Sequence, residues 1–202
     1  MNGYFKLNDE YANDVCGYPI EQAWWSRHYE YPWAYQFVHD HAVVADMGAG
    51  WMGRPFKDAL CEWCDMVYAV DLDERIQEQP REENLRFVTA DFTKRIDDIP
   101  AHSLDTIFCI SVLEDLGGNI GKALAEFKRL MKPNGLIVIT MDMQYDMTKP
   151  LGEYPAGNVN ELITAMQKNG LQFCGDVDMD KTDAVYHSGY NLCVFHAVQG
   201  VS

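Results

Sequence analysis

After residue 41 the chain alternates between short, nearly unbroken apolar runs and segments whose apolar residues recur every three or four positions. The runs are AVVADM, MVYAVD, LRFVTA, LDTIFCIS and GLIVITM. Runs of this length, with little polar alternation, are what strands covered on both faces produce. The intervening segments read as helices. Residues from about 54 to 64 suit one, with Pro55 in the first turn, where its missing N–H is no loss. In GKALAEFKRLM, Leu124, Phe127, Leu130 and Met131 share a face. KPNG then reads as a turn, and NVNELITAMQKNG as a further helix. The rhythm breaks at the end, where LQFCGDVDM and NLCVFHAV follow each other with no helix between them. The pattern predicts an α/β fold: a doubly wound, mostly parallel sheet ending in an antiparallel hairpin at its edge.

Ligands of such sheets gather at the C-terminal ends of the strands. Polar residues stand there in series: Asp46 with the glycine loop, then Asp71, Asp91 and Ser111, each about one βα unit apart. The loop, VVADMGAGWMG, holds a G-x-G-x-x-G at Gly48, Gly50 and Gly53. Glycines there permit a tight turn and close approach of a ligand to the backbone. Asp71 can accept hydrogen bonds from both hydroxyls of a ribose, because a carboxylate only accepts. Asp91 can accept from an adenine amino group. Together they specify an adenosine. NAD is one candidate, since an acid roughly 20 residues past the loop suits its ribose. Against it, pyrophosphate sits at a helix N-terminus, whereas Asp46 brings negative charge to this loop. That charge suits a ligand carrying an ammonium and a sulfonium, and NAD gives Asp91 no task. Asp71 and Asp91 each have a plainer alternative as a helix cap or turn residue.

Several stretches in order resemble the class I S-adenosylmethionine-dependent methyltransferases, over about residues 41–199. ADMGAGWMG is similar to the family's cofactor loop, YAVDLDER to its ribose-binding strand end and VTADF to its adenine site. LDTIFCISVLEDL is similar to the fourth-strand motif, and FKRLMKPNGLIVIT to the helix, turn and strand that follow. The resemblance implies a seven-stranded Rossmann-like methyltransferase fold with a reversed last strand, and S-adenosyl-L-methionine as cofactor. It implies a cofactor set of Asp46, Gly48, Ala49, Gly50, Asp71, Leu72 beside the adenine, Asp91, Phe92 against the ring, and Ser111. Two positions depart from the family: Asp115 stands where a histidine is common, and Trp51 where a small polar residue is common.

Composition narrows the acceptor. With 31 acids against 16 Lys and Arg, the formal charge is −15. An acidic surface repels phosphate backbones, which disfavours nucleic acid. After the fourth strand there is no [DNS]-P-P-[YFW] and no Pro-Cys, features expected for DNA base methylation. The default acceptor is therefore a small molecule or a sugar, methylated at O or N. Glu114, Asp115, Tyr145, Tyr154 and His187 are candidates to line its site. No apolar run approaches the roughly 20 residues of a membrane span, and no signal-peptide pattern opens the chain. Cys109 and Cys193 lie inside apolar runs, which suits reduced thiols and a cytoplasmic setting. CEWC, at Cys61 and Cys64, closes a helix instead of opening one and has no second pair, so structural thiols and no metal are expected.

The stretch QAWWSRHYEYPWAYQFV is unusually aromatic. It reads as helix and turn broken at Pro32, or as a lid over the cofactor. In the lid reading, Arg27 meets the methionine carboxylate, and Tyr29 or Trp33 the sulfonium through cation–π contact. Residues 1–40 are thus expected to form an aromatic cap and residues 41–202 the cofactor-binding core of one methyltransferase domain. The competing functions are an NAD(P)-binding oxidoreductase and a methyltransferase-like protein that binds without reacting. The oligomeric state is not written in the sequence.

Overall fold

The computed structural model describes residues 2–51 and 54–201; Gly53, the third glycine of the loop motif, lies outside them. In chain order the elements are β1 (Asn2–Tyr4), β2 (Asp14–Val15), β3 (Tyr18–Pro19), α1 (Arg27–Tyr35), β4 (Val43–Met47), α2 (Pro55–Cys61), β5 (Met66–Asp71), β6 (Leu85–Thr89), β7 (Leu104–Ile110), α3 (Ile120–Leu130), β8 (Met131–Gln144), α4 (Val159–Lys168), β9 (Leu171–Phe173), β10 (Val177–Asp178), β11 (Tyr186–His187) and β12 (Leu192–Val201). Short 3-10 helices follow β5 (Glu74–Glu78) and β7 (Leu113–Leu116).

One sheet runs in the order β10-β1-β12-β8-β7-β4-β5-β6, with β9 and β11 also paired to β12. From β6 across to β8 every neighbouring pair is parallel, and β12 runs antiparallel to β8. The doubly wound sheet with a reversed final strand is present. It is wider than seven strands because β1, β10 and β11, each two or three residues long, add edge pairings. β1 joins β12 through Gly3 opposite His196. Asn2 reinforces that joint: its Nδ2 donates to the Cys174 and Asp176 carbonyls, and its Oδ1 accepts from Val198 N–H at 2.7 Å.

The two faces separate residue by residue, as a pleated strand requires. Ile107, Cys109, Ile137 and Ile139 enter one core with Leu124 and Phe127 of α3 and Leu162 and Met166 of α4. Phe108, Ile110 and Val138 enter the other with Ala34 of α1 and Phe56, Ala59 and Leu60 of α2. Coverage on both sides is why these strands carry apolar runs without alternation.

Three local expectations change. KPNG is a bulge within one long strand: pairing jumps from Leu104 opposite Met131 to Thr106 opposite Leu136, so residues 132–135 loop out. No helix lies between β6 and β7 among the described residues, and only the 3-10 turn separates β5 from β6. Pro32 does not break the helix but sits inside α1. A proline there leaves the carbonyl four residues back without its donor. That carbonyl belongs to His28, and it accepts from Ala12 N–H at 2.9 Å instead. The His28 Nδ1 meets the Ala12 carbonyl at 2.8 Å, so a flanking segment replaces what proline removes.

Candidate active site

The loop after β4 is held from four directions. Gly48 and Ala49 donate their N–H groups to the Val70 carbonyl of β5. Gly50 donates to Asp71 Oδ2 at 2.9 Å. From α2, the buried Lys57 reaches back, its Nζ donating to the carbonyls of Ala49 (2.5 Å) and Gly50 (2.8 Å). Gln79 Nε2 donates to the Trp51 carbonyl, and the Arg75 guanidinium lies 3.9 Å from the Trp51 ring centre. Gly48 is required twice over: its φ is +80°, and an added Cβ would lie 2.4 Å from Val112 Cγ2. Gly50 has φ +65° with open space where a Cβ would stand. Beneath the loop Asp46 is buried. Burial pushes its carboxyl up to about 6, with Lys57 opposing and Asp71 adding to the rise.

The loop forms one wall of a cavity of about 480 Å³. Arg27, Ser111, Glu114, Asp115 and Asp142 line it, as do the rings of Trp24, Trp25, Tyr31, Tyr154 and Tyr190. The helical phase of α1 decides which aromatics face inward. Arg27 and Tyr31, four apart, line the cavity, with the guanidinium 5.8 Å from the Tyr31 ring centre. Tyr29 and Trp33, also four apart, lie on another face and pack against Phe5. The expected contact of Tyr29 or Trp33 with a sulfonium is therefore replaced by a small core with Phe5, Val185 and Val194.

α1 is pinned to the strand ends through Glu30, which is fully buried. Its carboxylate pairs with Arg27 and accepts from Ser111 Oγ at 2.6 Å and from Thr140 Oγ1. Burial alone would raise the Glu30 carboxyl, but Arg27 and the two hydroxyls outweigh it and hold it below the usual range. Ser111 takes φ +48°, a strained setting for a residue other than glycine. Its N–H meets the Thr140 carbonyl at 3.1 Å.

The acids after β7 and within β8 have no such satisfaction. Glu114 Oε1 accepts from Asp142 N–H at 3.0 Å. Glu114 Oε2 and Asp142 Oδ1 are buried without a hydrogen-bond partner among the described residues. Burial, with Glu30 adding to it, pushes Asp142 up to about 7. Burial, then the Asp142 charge, holds Glu114 well above its usual range.

The remaining candidates fall around this cavity, not on its wall. Asp71 lies at the end of β5, its Oδ1 accepting from Asp73 N–H at 2.9 Å. Leu72 is 68% exposed beside it. Asp91 accepts from Thr93 N–H and Oγ1 through Oδ1 and pairs with Lys94 at 3.0 Å. Phe92 is buried against Phe127, ring centres 5.5 Å apart. Tyr145 stacks on Tyr186. His187 stacks on Tyr190 and accepts its N–H through Nδ1. Neither Tyr145 nor His187 reaches the cavity wall.

Residues 45–139, from β4 into β8, match the family model described as a methyltransferase domain. They span the glycine loop, Asp71, Asp91 and Glu114. This part of the chain matches a methyltransferase domain, and the fold is that of S-adenosylmethionine-dependent methyltransferases. No curated protein matches its sequence. Among solved structures it is similar to an S-adenosylmethionine-dependent methyltransferase from Aquifex aeolicus, at 19% identity and TM-score 0.59, over 80% of this chain and 84% of that one. A putative methyltransferase from Listeria monocytogenes gives 12% identity and TM-score 0.63, over 86% and 98%. The [4+2]-cyclase SpnF gives 12% and 0.67, over 100% and 88%. A cyclase among them shows that these likenesses carry the fold and not the reaction. The chemistry rests on the domain matched over residues 45–139: its cofactor is S-adenosylmethionine, which sets the NAD reading aside.

The residues of this methyltransferase fit that cofactor. The open side of Gly50 leaves room against the backbone, and the buried Asp46 carboxyl complements a cation. Sequence reasoning missed Lys57, Glu30 and Asp142. Lys57 stands on the buried stripe of α2 between Phe56, Ala59 and Leu60, a lysine where an apolar residue is expected. Asp142 interrupts the apolar run of β8 near its C-terminal end, and that interruption was the available signal. For Glu30 the available signal was Arg27 three residues before it, while its other partners, Ser111 and Thr140, come from the distant end of β7 and from β8. No helix of the described residues is long and apolar enough to cross a membrane.

Proposed function

We propose that this protein transfers the methyl group of S-adenosylmethionine to an oxygen or nitrogen of a small-molecule or sugar acceptor. The observation that carries this reading is the cavity itself. It joins the glycine loop to the acids after β7 and in β8, so a cofactor on the loop and an acceptor among the acids share one chamber. S-adenosylmethionine supplies an activated methyl on a cationic sulfur; the protein supplies position and electrostatics.

In this reading Asp46, Gly48, Ala49 and Gly50 hold the amino-acid end of the cofactor, with Arg27 toward its carboxylate. Asp71 takes the ribose. Each of its oxygens already accepts one backbone N–H, and a carboxylate offers about four lone-pair sites, so acceptors remain for both hydroxyls. Leu72, Asp91 and Phe92 belong to the adenine side, and Ser111 to the joint between the two halves. Of the N-terminal segment, β1 joins the sheet, while residues 23–27 and Tyr31 act as the cap that covers the reacting atoms. A sheltered chamber allows alignment to supply much of the rate. Because the sulfonium loses charge in the transition state, affinity drawn from the adenosine and amino-acid ends favours turnover.

Calorimetric titration with S-adenosylhomocysteine, with NADH run alongside, tests the reading. Binding of the former alone is expected. Asp71→Ala is expected to weaken it by about 1.5–3 kcal/mol, the scale of hydrogen bonds to a charged group. Unchanged affinity in a folded Asp71→Ala protein would end the ribose assignment.

A further inference from the structure

We propose that the acceptor side of the cavity binds a protonated amine carried on an apolar body, and that this nitrogen receives the methyl group. The proposal rests on the methyl-transfer reading above and names the substrate class within it.

The charges come first. Among the described residues lining the cavity, Arg27 is the one cation, and it is paired with Glu30. Asp46 lies under the glycine loop, where Lys57 opposes its charge. That leaves Glu114 and Asp142, with the exposed Asp115 beside them, at a chamber where Arg27 is the one opposing charge and is already shared with Glu30. This balance favours a cationic acceptor over an anionic one.

The unsatisfied atoms come second. Buried polar atoms are nearly always hydrogen-bonded, yet Glu114 Oε2 and Asp142 Oδ1 are buried and have no partner among the described residues. The two residues adjoin, with Asp142 N–H donating to Glu114 Oε1, and both line the cavity. An ammonium brings two or three N–H donors and one positive charge there. A hydroxyl brings a single donor and no charge. The walls supply the third observation. Trp24, Trp25, Tyr31, Tyr154 and Tyr190 enclose the same space, and aromatic faces attract cations while burying an apolar body.

The chemistry balances. The bound ammonium gives one proton to a carboxylate of the Glu114–Asp142 pair, which frees its lone pair. That pair forms the N–C bond to the methyl as the S–C bond breaks and its electrons stay on sulfur. The products are a neutral thioether and an N-methylammonium, and no oxidant or reductant is needed. Burial holds Glu114 above its usual range, which fits it to accept a proton.

The test is calorimetry on the full chain, with and without saturating S-adenosylhomocysteine. The titrants are 2-phenylethylamine and tryptamine, set against their neutral isosteres 2-phenylethanol and tryptophol. The amines are expected to bind at least about tenfold tighter than the alcohols, as a charge-assisted contact requires. Glu114→Gln and Asp142→Asn are each expected to remove about that tenfold while S-adenosylhomocysteine affinity holds. Equal binding of amines and alcohols overturns the proposal. So does unchanged amine affinity in both variants, or a parallel loss of S-adenosylhomocysteine affinity, which would give these acids to the cofactor. If S-adenosylhomocysteine fails to bind the unaltered chain, the methyl-transfer reading falls instead, and the amine titration without it still decides the charge recognition.

Discussion

The two walls of the cavity are built on opposite terms. On the glycine-loop side, the protein supplies partners for its own polar groups. Val70, Asp71 and Lys57 take up the backbone of residues 48–50 before any ligand arrives. On the far side, Glu114 and Asp142 leave oxygens unpaired and burial lifts their carboxyls. A satisfied wall is pre-organised and contributes to stability. An unsatisfied wall costs stability, a burden expected where a ligand is to be bound. Substitutions on the two walls should therefore move stability in opposite directions.

The largest effect is expected at Gly48→Ala. A positive φ costs a residue with a Cβ about 1–2 kcal/mol, and overpacking against Val112 adds about 1–3 kcal/mol. Denaturant unfolding should show a loss of about 2–5 kcal/mol, with S-adenosylhomocysteine binding abolished. Next, Lys57→Met removes the charged donor to two loop carbonyls. A loss of about 1.5–3 kcal/mol is expected, read in the same assay, together with weaker cofactor binding.

On the opposite wall, Asp142→Asn should stabilise. The Asp142 carboxyl titrates at about 7 in the fold and near 3.9 when unfolded. Between these values the folded state binds more proton, so stability falls as pH rises. The cost is absent below pH 4 and complete above pH 7. The variant should therefore gain little at pH 4 and about 1–3 kcal/mol above pH 7, the scale for relieving an unsatisfied buried group. A gain independent of pH would remove the contrast between the walls. The smallest effect is expected at Asp91→Ala, with under about 1 kcal/mol lost in S-adenosylhomocysteine affinity, because an exposed adenine edge recovers water.

The same contrast explains what the sequence disclosed. The central strands were legible because both faces of each are buried, and continuous apolar runs follow from that alone. The glycine loop was legible because positive φ at Gly48 and Gly50 requires its residue type. β1, β10 and β11 were not, since two or three residues show no period. α1 through Pro32 was hidden because the compensating donor, Ala12, lies 20 residues away in sequence. In the site, Arg27, Asp46, Ser111, Glu114 and Asp115 line the cavity where the sequence placed candidates. Asp142 showed only as a break in the apolar run of β8 and Glu30 only as a local partner of Arg27, because their other contacts come from residues distant in sequence.

The pairing of β1 with β12 has a kinetic consequence. Gly3 meets His196, which makes this one of the longest loop closures in the molecule, and such contacts form late because chain entropy opposes them until their neighbours are in place. β1 is held on one side by β12, which is itself held by β8, and Phe5, just after β1, is what Tyr29 and Trp33 pack against. The glycine loop needs only β4, α2 and β5, a local assembly. The molecule should thus mature from its cofactor wall outward, with Arg27 and the aromatic cover the last parts to reach their positions. A folding intermediate trapped before that step would hold a shaped loop beneath an open chamber.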